Sequence, residues 1–328
     1  MAETIDEAWL RDRDLRRHDE ARKVLGELRA AAGRVPEELA PLYCGVLAST
    51  YRMLDRLDDA RQSLRLGLWF AWKRGDERAR ANLLQRRAYV ELDMLRLDRA
   101  LGFAESAFAA YHFLGDEEGM GQTLVDRGLV LVYLKRTDDA IKSYSQALDH
   151  LAPDSHLNRF WALHSLGFLH GLRKREVGVA RGYIARARRQ LPHLRVQKQS
   201  RAKLLWLEAS LDRLDRRPAS ASDKLALVVE LLAEIRPPEA VIAGLELAEA
   251  QFMVGGPRLA YSAVMGLLRF VEKLEETPAS QAAVESLLKV HQRTLTLEKI
   301  RQTRGTLIKI QDAPERPGRN RWLGSGGG

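Results

Sequence analysis

The stretch that decides the fold is Gly121–Pro153, GQTLVDRGLVLVYLKRTDDAIKSYSQALDHLAP. Leu124, Gly128 and Leu131 share one face of a predicted helix, Arg136-Thr137-Asp138-Asp139 makes a turn and a helix start, and Ala140, Tyr144 and Ala147 form the apolar stripe of a second helix. The same pattern returns every 40 residues. Ala140 is matched by Ala100, Ala60 and Ala180, Arg136 by Arg96 and Arg56, Leu134 by Met94 and Leu54, and Gly128 by Ala88 and Ala48. Between units, Gly75-Asp76 and Gly115-Asp116 pair a residue suited to a left-handed helix end with one suited to capping the next helix. A repeat of this period signals a solenoid of helix pairs, in which each unit buries its face against its neighbours and no single core is needed.

These residues resemble the tetratricopeptide repeat family. Gly128, Ala140 and Ala147 stand at the family's small-residue contacts between the two helices, Tyr144 at the large position between them, and Pro153 near its closing proline. The family unit is usually 34 residues, so a 40-residue unit adds about one and a half helical turns. It is closer to the long-helix variant of regulatory and partner-binding repeat proteins, including bacterial sensor modules that accompany transcriptional regulators. The resemblance implies an all-α, right-handed superhelical solenoid of about six repeats with terminal capping helices.

Along the 328 residues the expected organisation is an N-terminal cap over 1–40, four clear repeats over 41–195, two degenerate repeats over 196–278, a capping helix over 279–311 and a disordered tail over 312–328. In the cap, Arg17-His18-Asp19-Glu20-Ala21 repeats the turn motif one place out of phase. In the fourth unit, Leu163, Leu166 and Gly167 match first-helix positions, and the turn Arg173-Lys174-Arg175-Glu176 carries one residue more than its predecessors. The fifth pair is expected at Leu204–Leu214 and Lys224–Ile235, and the sixth at Ala240–Met253 and Arg258–Leu274.

The lone cysteine, Cys44, replaces a small apolar residue on a first helix and reads as buried. The absence of a secretory leader and of a long apolar run points to a cytoplasmic protein with no membrane partner. No phosphate loop, dinucleotide fingerprint, H-E-x-x-H or G-x-S-x-G occurs, so neither enzyme activity nor a cofactor is implied. His150, His156, His164, His170 and His193 cluster along the chain, but no two are three or four apart, and a metal site is not expected.

The formal net charge is +9. Between Gly171 and Lys203 stand Arg173, Lys174, Arg175, Arg181, Arg186, Arg188, Arg189, Arg195, Lys198, Arg201 and Lys203, opposed only by Glu176. Two readings stay open for this patch: a solvated outer helix face, or a docking site for nucleic acid or acidic protein.

In the family, first helices line the groove that takes the partner. Carrying over those phases gives Gln85, Arg86, Tyr89 and Asp93; then Gln122, Asp126 and Tyr133; then Trp161, His164 and Phe168; and finally Lys203 and Trp206. Aromatics mixed with amides and charges suit a peptide or helix, although each aromatic could equally pack between units. The carboxylate clamp of chaperone-binding members is missing, because its first two positions are Gly45 and Ser49. The expected function is a non-enzymatic scaffold holding a protein or peptide in the groove, with a regulatory role. The alternative is a sensor module or nucleic-acid-associated protein using the basic segment. Self-association stays open.

Overall fold

The computed structural model describes residues 4–195, 197–267 and 295–311. They form two compact units, one up to Ala162 and one from Leu163. The first holds α1 (Glu7–Ala31), α2 (Ala40–Met53), α3 (Leu57–Arg74), α4 (Glu77–Asp93), α5 (Leu97–Phe113), α6 (Glu117–Tyr133), α7 (Thr137–His150) and the start of α8 (His156–Phe168). The second continues α8 through one π-helical turn, Leu169–Arg173, into α9 (Val177–Arg188), α10 (Gln197–Leu214), α11 (Pro218–Leu232), α12 (Pro237–Gly255), α13 (Pro257–Gly266) and α14 (Leu297–Gln311). No strand occurs among the described residues. The architecture is the expected all-α solenoid of helix pairs, with α2/α3 to α12/α13 as successive pairs and consecutive helices packed together from α1 to α7 in the first unit and from α9 to α13 in the second.

The turn inside each pair is a fixed device. Asp55, Leu95, Lys135, Arg175 and Arg216 all take the left-handed conformation, with φ between 57° and 62°. A backbone bond then closes each turn in the 6→1 pattern: Arg56 N–H donates to Tyr51 O at 2.9 Å, Arg96 to Glu91 at 2.8 Å, Arg136 to Leu131 at 2.9 Å and Arg217 to Asp212 at 2.8 Å. At the fourth pair the bond runs instead from Glu176 N–H to His170 O, 2.8 Å. The extra residue is therefore held in the π-helical turn and not, as the sequence suggested, in the turn Arg173–Glu176. Taking it up there keeps Arg175 and Glu176 in the common turn geometry, so α9 starts at Val177 in phase with α3, α5 and α7.

Between pairs, Gly75 and Gly115 adopt φ of 64° and 63°, and Asp76 and Asp116 accept the N–H of Ala79 (2.8 Å) and Gly119 (2.9 Å), as their sequence implies. The out-of-phase motif near the N-terminus marks a real break: Glu20 leaves helical geometry (φ −125°, ψ 35°) and kinks α1 into two arms. The fifth and sixth pairs begin earlier than the apolar pattern indicated, at Gln197, Pro218 and Pro237, because their first turns are polar or proline-started. Positions 279–294 of the expected cap, the expected tail over 312–328, and 268–274 of the expected sixth pair lie outside the described residues.

Packing follows the small-residue phases. Ala60, Ala100, Ala140 and Ala180 are fully buried. Gly128 lies flat against Tyr144, where a Cβ would stand 2.8 Å from the ring. Cys44 is buried against Gly67, where it packs between helices, and burial pushes its thiol up to about 12. Gly128→Ala is expected to destabilise the protein by about 1–3 kcal/mol through overpacking, read as a lower urea midpoint. A variant as stable as the parent would contradict the contact.

Candidate functional site: the first-helix face

Within the first unit, α4 lies between α2 and α6, and the polar side chains on these first helices hold one another in a continuous seam. Tyr89 donates its hydroxyl to Asp126 Oδ1, and Gln85 donates its amide to Asp126 Oδ2 at 2.7 Å. Tyr111 of α5 supports Gln85 from below, donating to Asn82 Oδ1 at 2.6 Å and lying 3.3 Å from Gln85 Oε1. Arg52 stacks over the Tyr89 ring at 4.9 Å and pairs with Asp93. Farther along, Arg86 forks onto Asp14 of α1 at 3.1 and 3.0 Å and donates to Ser49. It reaches Asp14 by crossing α2 at Gly45, where a Cβ would stand 3.5 Å from the Arg86 side chain. Gly45 and Ser49 are thus the floor under Arg86.

Electrostatics sets the state of each group. Burial would raise Asp14, but Arg86 and Arg17 outweigh it and hold its carboxyl below the usual range. Asp126 has no such neighbour in contact among the described residues. It is 6 % exposed, and burial pushes it up to about 7 against the opposing pull of Tyr89, Gln85 and the Arg52 charge. The same burial, with Asp126 beside it, carries the Tyr89 hydroxyl well above its ordinary value.

The remaining groove candidates are placed differently. Gln122 donates to Glu118 of its own helix at 3.0 Å, and Tyr133 packs with Tyr89 against Leu92, Leu129 and Val130. Trp161 is buried edge-on to Phe160, with ring centroids 5.2 Å apart. In the second unit His164, Lys203 and Trp206 are all buried. Lys203 Nζ lies 3.2 Å from Glu239, and the Trp206 indole donates to Glu246 at 2.9 Å. Burial, with Lys203 as a like-charged neighbour, pushes His164 down to about 4. Phe168 is half-buried under Arg173, 5.7 Å away. The first unit thus gathers Gln85, Arg86, Tyr89 and Asp93 half-buried on one face with Asp126 buried among them, whereas Trp161, His164, Lys203 and Trp206 fill interiors. Asp14, Arg17 and Arg52 are the seam members that sequence phases did not reveal.

Two buried groups shape the pH profile in opposite senses. The raised carboxyl of Asp126 gives stability that is complete below its unfolded value of 3.8 and is lost as pH rises through about 7. The depressed imidazole of His164 gives stability that is complete above 6.5 and is lost as pH falls toward about 4. Asp126→Asn is therefore expected to raise the melting temperature more at pH 8 than at pH 5, the difference from the parent shrinking as pH falls toward 3.8. An equal loss at both values would show that the carboxyl does not titrate in that interval.

The basic segment is less open than its composition suggests. Carboxylates beyond its end neutralise part of it: Arg181 binds Asp212 (2.9 Å) and Asp215 (2.7 Å), Arg188 binds Glu208, and Lys203 faces Glu239. Arg186 lies 5.6 Å from the Tyr183 ring. Arg173, Lys174, Arg175, Arg189, Arg195, Lys198 and Arg201 are exposed. Among the described residues no three His, Cys, Asp or Glu side chains are grouped as metal ligands, and no helix is long and apolar enough to cross a membrane.

Neither a family model nor a curated protein matches the chain. Among solved structures, PilF of Pseudomonas aeruginosa aligns over 72 % of this chain and 97 % of its own length, with a TM-score of 0.53 and 18 % identity. The fold is of the tetratricopeptide repeat type. A tetratricopeptide repeat protein of Parabacteroides merdae aligns over 82 % of this chain and 99 % of its own, at 14 % identity and a TM-score of 0.49. BtubC of P. vanneervenii aligns over 83 % and 94 %, at 15 % identity and a TM-score of 0.40. In tetratricopeptide terms, the seam lies on the helix A face of three successive repeats and the Tyr144–Gly128 contact is the A/B packing of the third.

Proposed function

We propose that the protein is a non-enzymatic scaffold that holds a protein or peptide partner against the first-helix face of α2, α4 and α6. The observation that carries this reading is the seam itself. Arg52, Tyr89, Asp93 and Asp126 come from three helices yet are fixed by mutual contacts, a hydrogen bond, an ion pair and a guanidinium over a ring, and Arg86 beside them is fixed by Asp14 of α1. Side chains already ordered lose little freedom when a ligand arrives, which is how a preorganised surface gains affinity. A peptide crossing this face meets guanidinium, phenol and carboxyl groups in turn, a pattern suited to a polar segment carrying both charges. The nucleic-acid reading is weaker, because Arg181, Arg188 and Lys203 already face carboxylates.

The test uses peptides that the protein itself selects. Displayed random peptides are enriched on the wild-type protein and re-measured on a Tyr89→Phe/Arg86→Gln variant, which lacks the phenol hydroxyl and the guanidinium charge. Selected peptides are expected to lose at least about tenfold in affinity, the effect of removing one or two charge-assisted bonds. Peptides that bind both proteins equally would overturn the assignment of this face.

A further inference from the structure

A cavity of about 290 Å³ opens on the other side of the first unit, lined by Arg61, Gln62 and Arg65 of α3, Arg87 of α4 and Arg99 of α5. Four guanidinium groups and one amide make its wall, with no carboxylate among them. Arg87 is fixed by Glu91 (2.7 Å) and by the carbonyl of Arg61 (3.0 Å), and it lies over the Phe103 ring at 5.2 Å. Burial, with Arg61 and Arg96 as like-charged neighbours, lowers its proton affinity despite Glu91. The one carboxylate paired with Arg61 among the described residues is Asp58, at 3.8 Å. Arg65 and Arg99 form no ion pair among the described residues.

The repeat itself shows that this charge is not a requirement of the fold. Forty residues after Arg87 comes Arg127, which lies 3.6 Å from Glu105. Glu105 is the repeat equivalent of Arg65. Likewise, the positions 40 before and 40 after Arg99 are Asp59 and Asp139, which bind the turn arginines Arg56 and Arg136 at 2.6 and 2.7 Å. At this one cleft, therefore, two arginines stand where neighbouring repeats place the carboxylates that neutralise their own arginines. Arg96, deprived of such a partner, turns to the buried Glu91 at 3.7 Å.

We infer that the Arg61–Arg65–Arg87–Arg99 cleft is a binding site for a small polyanion carrying two or more phosphate groups. Converging planar guanidinium forks match phosphate oxygens in pairs, as isolated ammonium groups do not. The volume lies near the lower end of the roughly 300–1,000 Å³ found for small-molecule sites, which fits a short phosphate chain or a phosphorylated headgroup. The site is independent of the first-helix seam, since none of its residues belongs to that network.

The variant that tests it restores the repeat pattern: Arg65→Glu/Arg99→Asp. Because both acids occur at the equivalent positions, the variant is expected to fold with an unchanged or higher melting temperature. Titration of the full chain with inorganic tripolyphosphate at low salt should show saturable binding that this variant weakens at least about 30-fold. Arg186→Gln/Arg189→Gln, in the basic segment of the second unit, should leave it unaltered. A parallel arm uses vesicles with and without a bisphosphorylated inositol lipid. Variant-sensitive binding of tripolyphosphate assigns a soluble ligand, and variant-sensitive binding of the phosphorylated vesicles alone assigns a lipid headgroup. Binding of neither probe, or binding that Arg65→Glu/Arg99→Asp leaves intact, overturns the site.

Discussion

Tyr144→Ala is expected to destabilise the first unit by about 3–5 kcal/mol, the range for removing a large buried ring. Tyr144 is the largest fully buried side chain among the described residues, and its ring lies against the bare backbone of Gly128. Neither side can relax to fill the space, because Gly128 contributes no side chain and Ala140 and Ala147 flank the ring on its own helix. A solenoid is stabilised by contacts between neighbours, so the loss should spread from α6 and α7 into the adjoining pairs. Urea unfolding followed by tryptophan fluorescence measures it. Phe113→Ala is the control, since Phe113 is 79 % exposed and its removal should change stability by less than about 0.5 kcal/mol. Equal effects from the two substitutions would contradict the packing described.

Glu249→Ala should have the next largest effect and a local one. Glu249 is 3 % exposed on α12 and receives Arg213 at 2.8 Å, Arg301 at 2.7 Å and Arg304 at 2.7 Å. Removing the acid leaves Arg213 and Arg304 with Glu246 alone among the described residues and Arg301, which is 56 % exposed, without its carboxylate, so the loss is that of charge-assisted hydrogen bonds, about 1.5–3 kcal/mol. Arg301 and Arg304 belong to α14, whose apolar anchor on the second unit includes the fully buried Ile300. The variant should therefore show fast amide exchange over Leu297–Gln311 while α10 and α11 remain protected. Burial would raise Glu249, but Arg213, Arg301 and Arg304 outweigh it and lower its carboxyl. Its contribution is thus present above the usual carboxylate range and is lost as pH falls through the lowered value, so acid should release α14 in the parent as well. Protection of α14 that survives the substitution would show that apolar contact alone holds the helix.

The repeat was legible because small residues recur where two helix backbones must approach. Ala60, Ala100, Ala140 and Gly128 leave a trace in sequence that no exposed position does. The left-handed turn residues were not legible: Asp55, Leu95, Lys135, Arg175 and Arg216 have no side-chain chemistry in common, and the geometry is imposed by the backbone bond closing behind them. The π-helical turn escaped for a related reason, since an inserted residue reads the same whether a loop or a helix absorbs it.

In the candidate site, helical phase located Gln85, Tyr89, Asp93 and Asp126, but it could not tell a groove position from an interior one. Trp206 and Lys203 occupy the corresponding first-helix phase and are buried by Glu239 and Glu246 of the next repeat. Asp14 was invisible to the repeat because it lies in the out-of-phase arm of α1, 72 residues from Arg86. Charge counting along a window misled for the same reason, because the carboxylates that answer Arg181 and Arg188 come from the following helix. Comparing each charged position with its equivalents 40 residues away is what isolates Arg65 and Arg99.

The most direct test of the scaffold reading is amide hydrogen exchange of the full chain with and without a saturating selected peptide. Slowed exchange confined to Ala40–Met53, Glu77–Asp93 and Glu117–Tyr133 is the predicted result. Protection confined to the second helices, Leu57–Arg74, Leu97–Phe113 and Thr137–His150, would contradict it and move the partner to the opposite face.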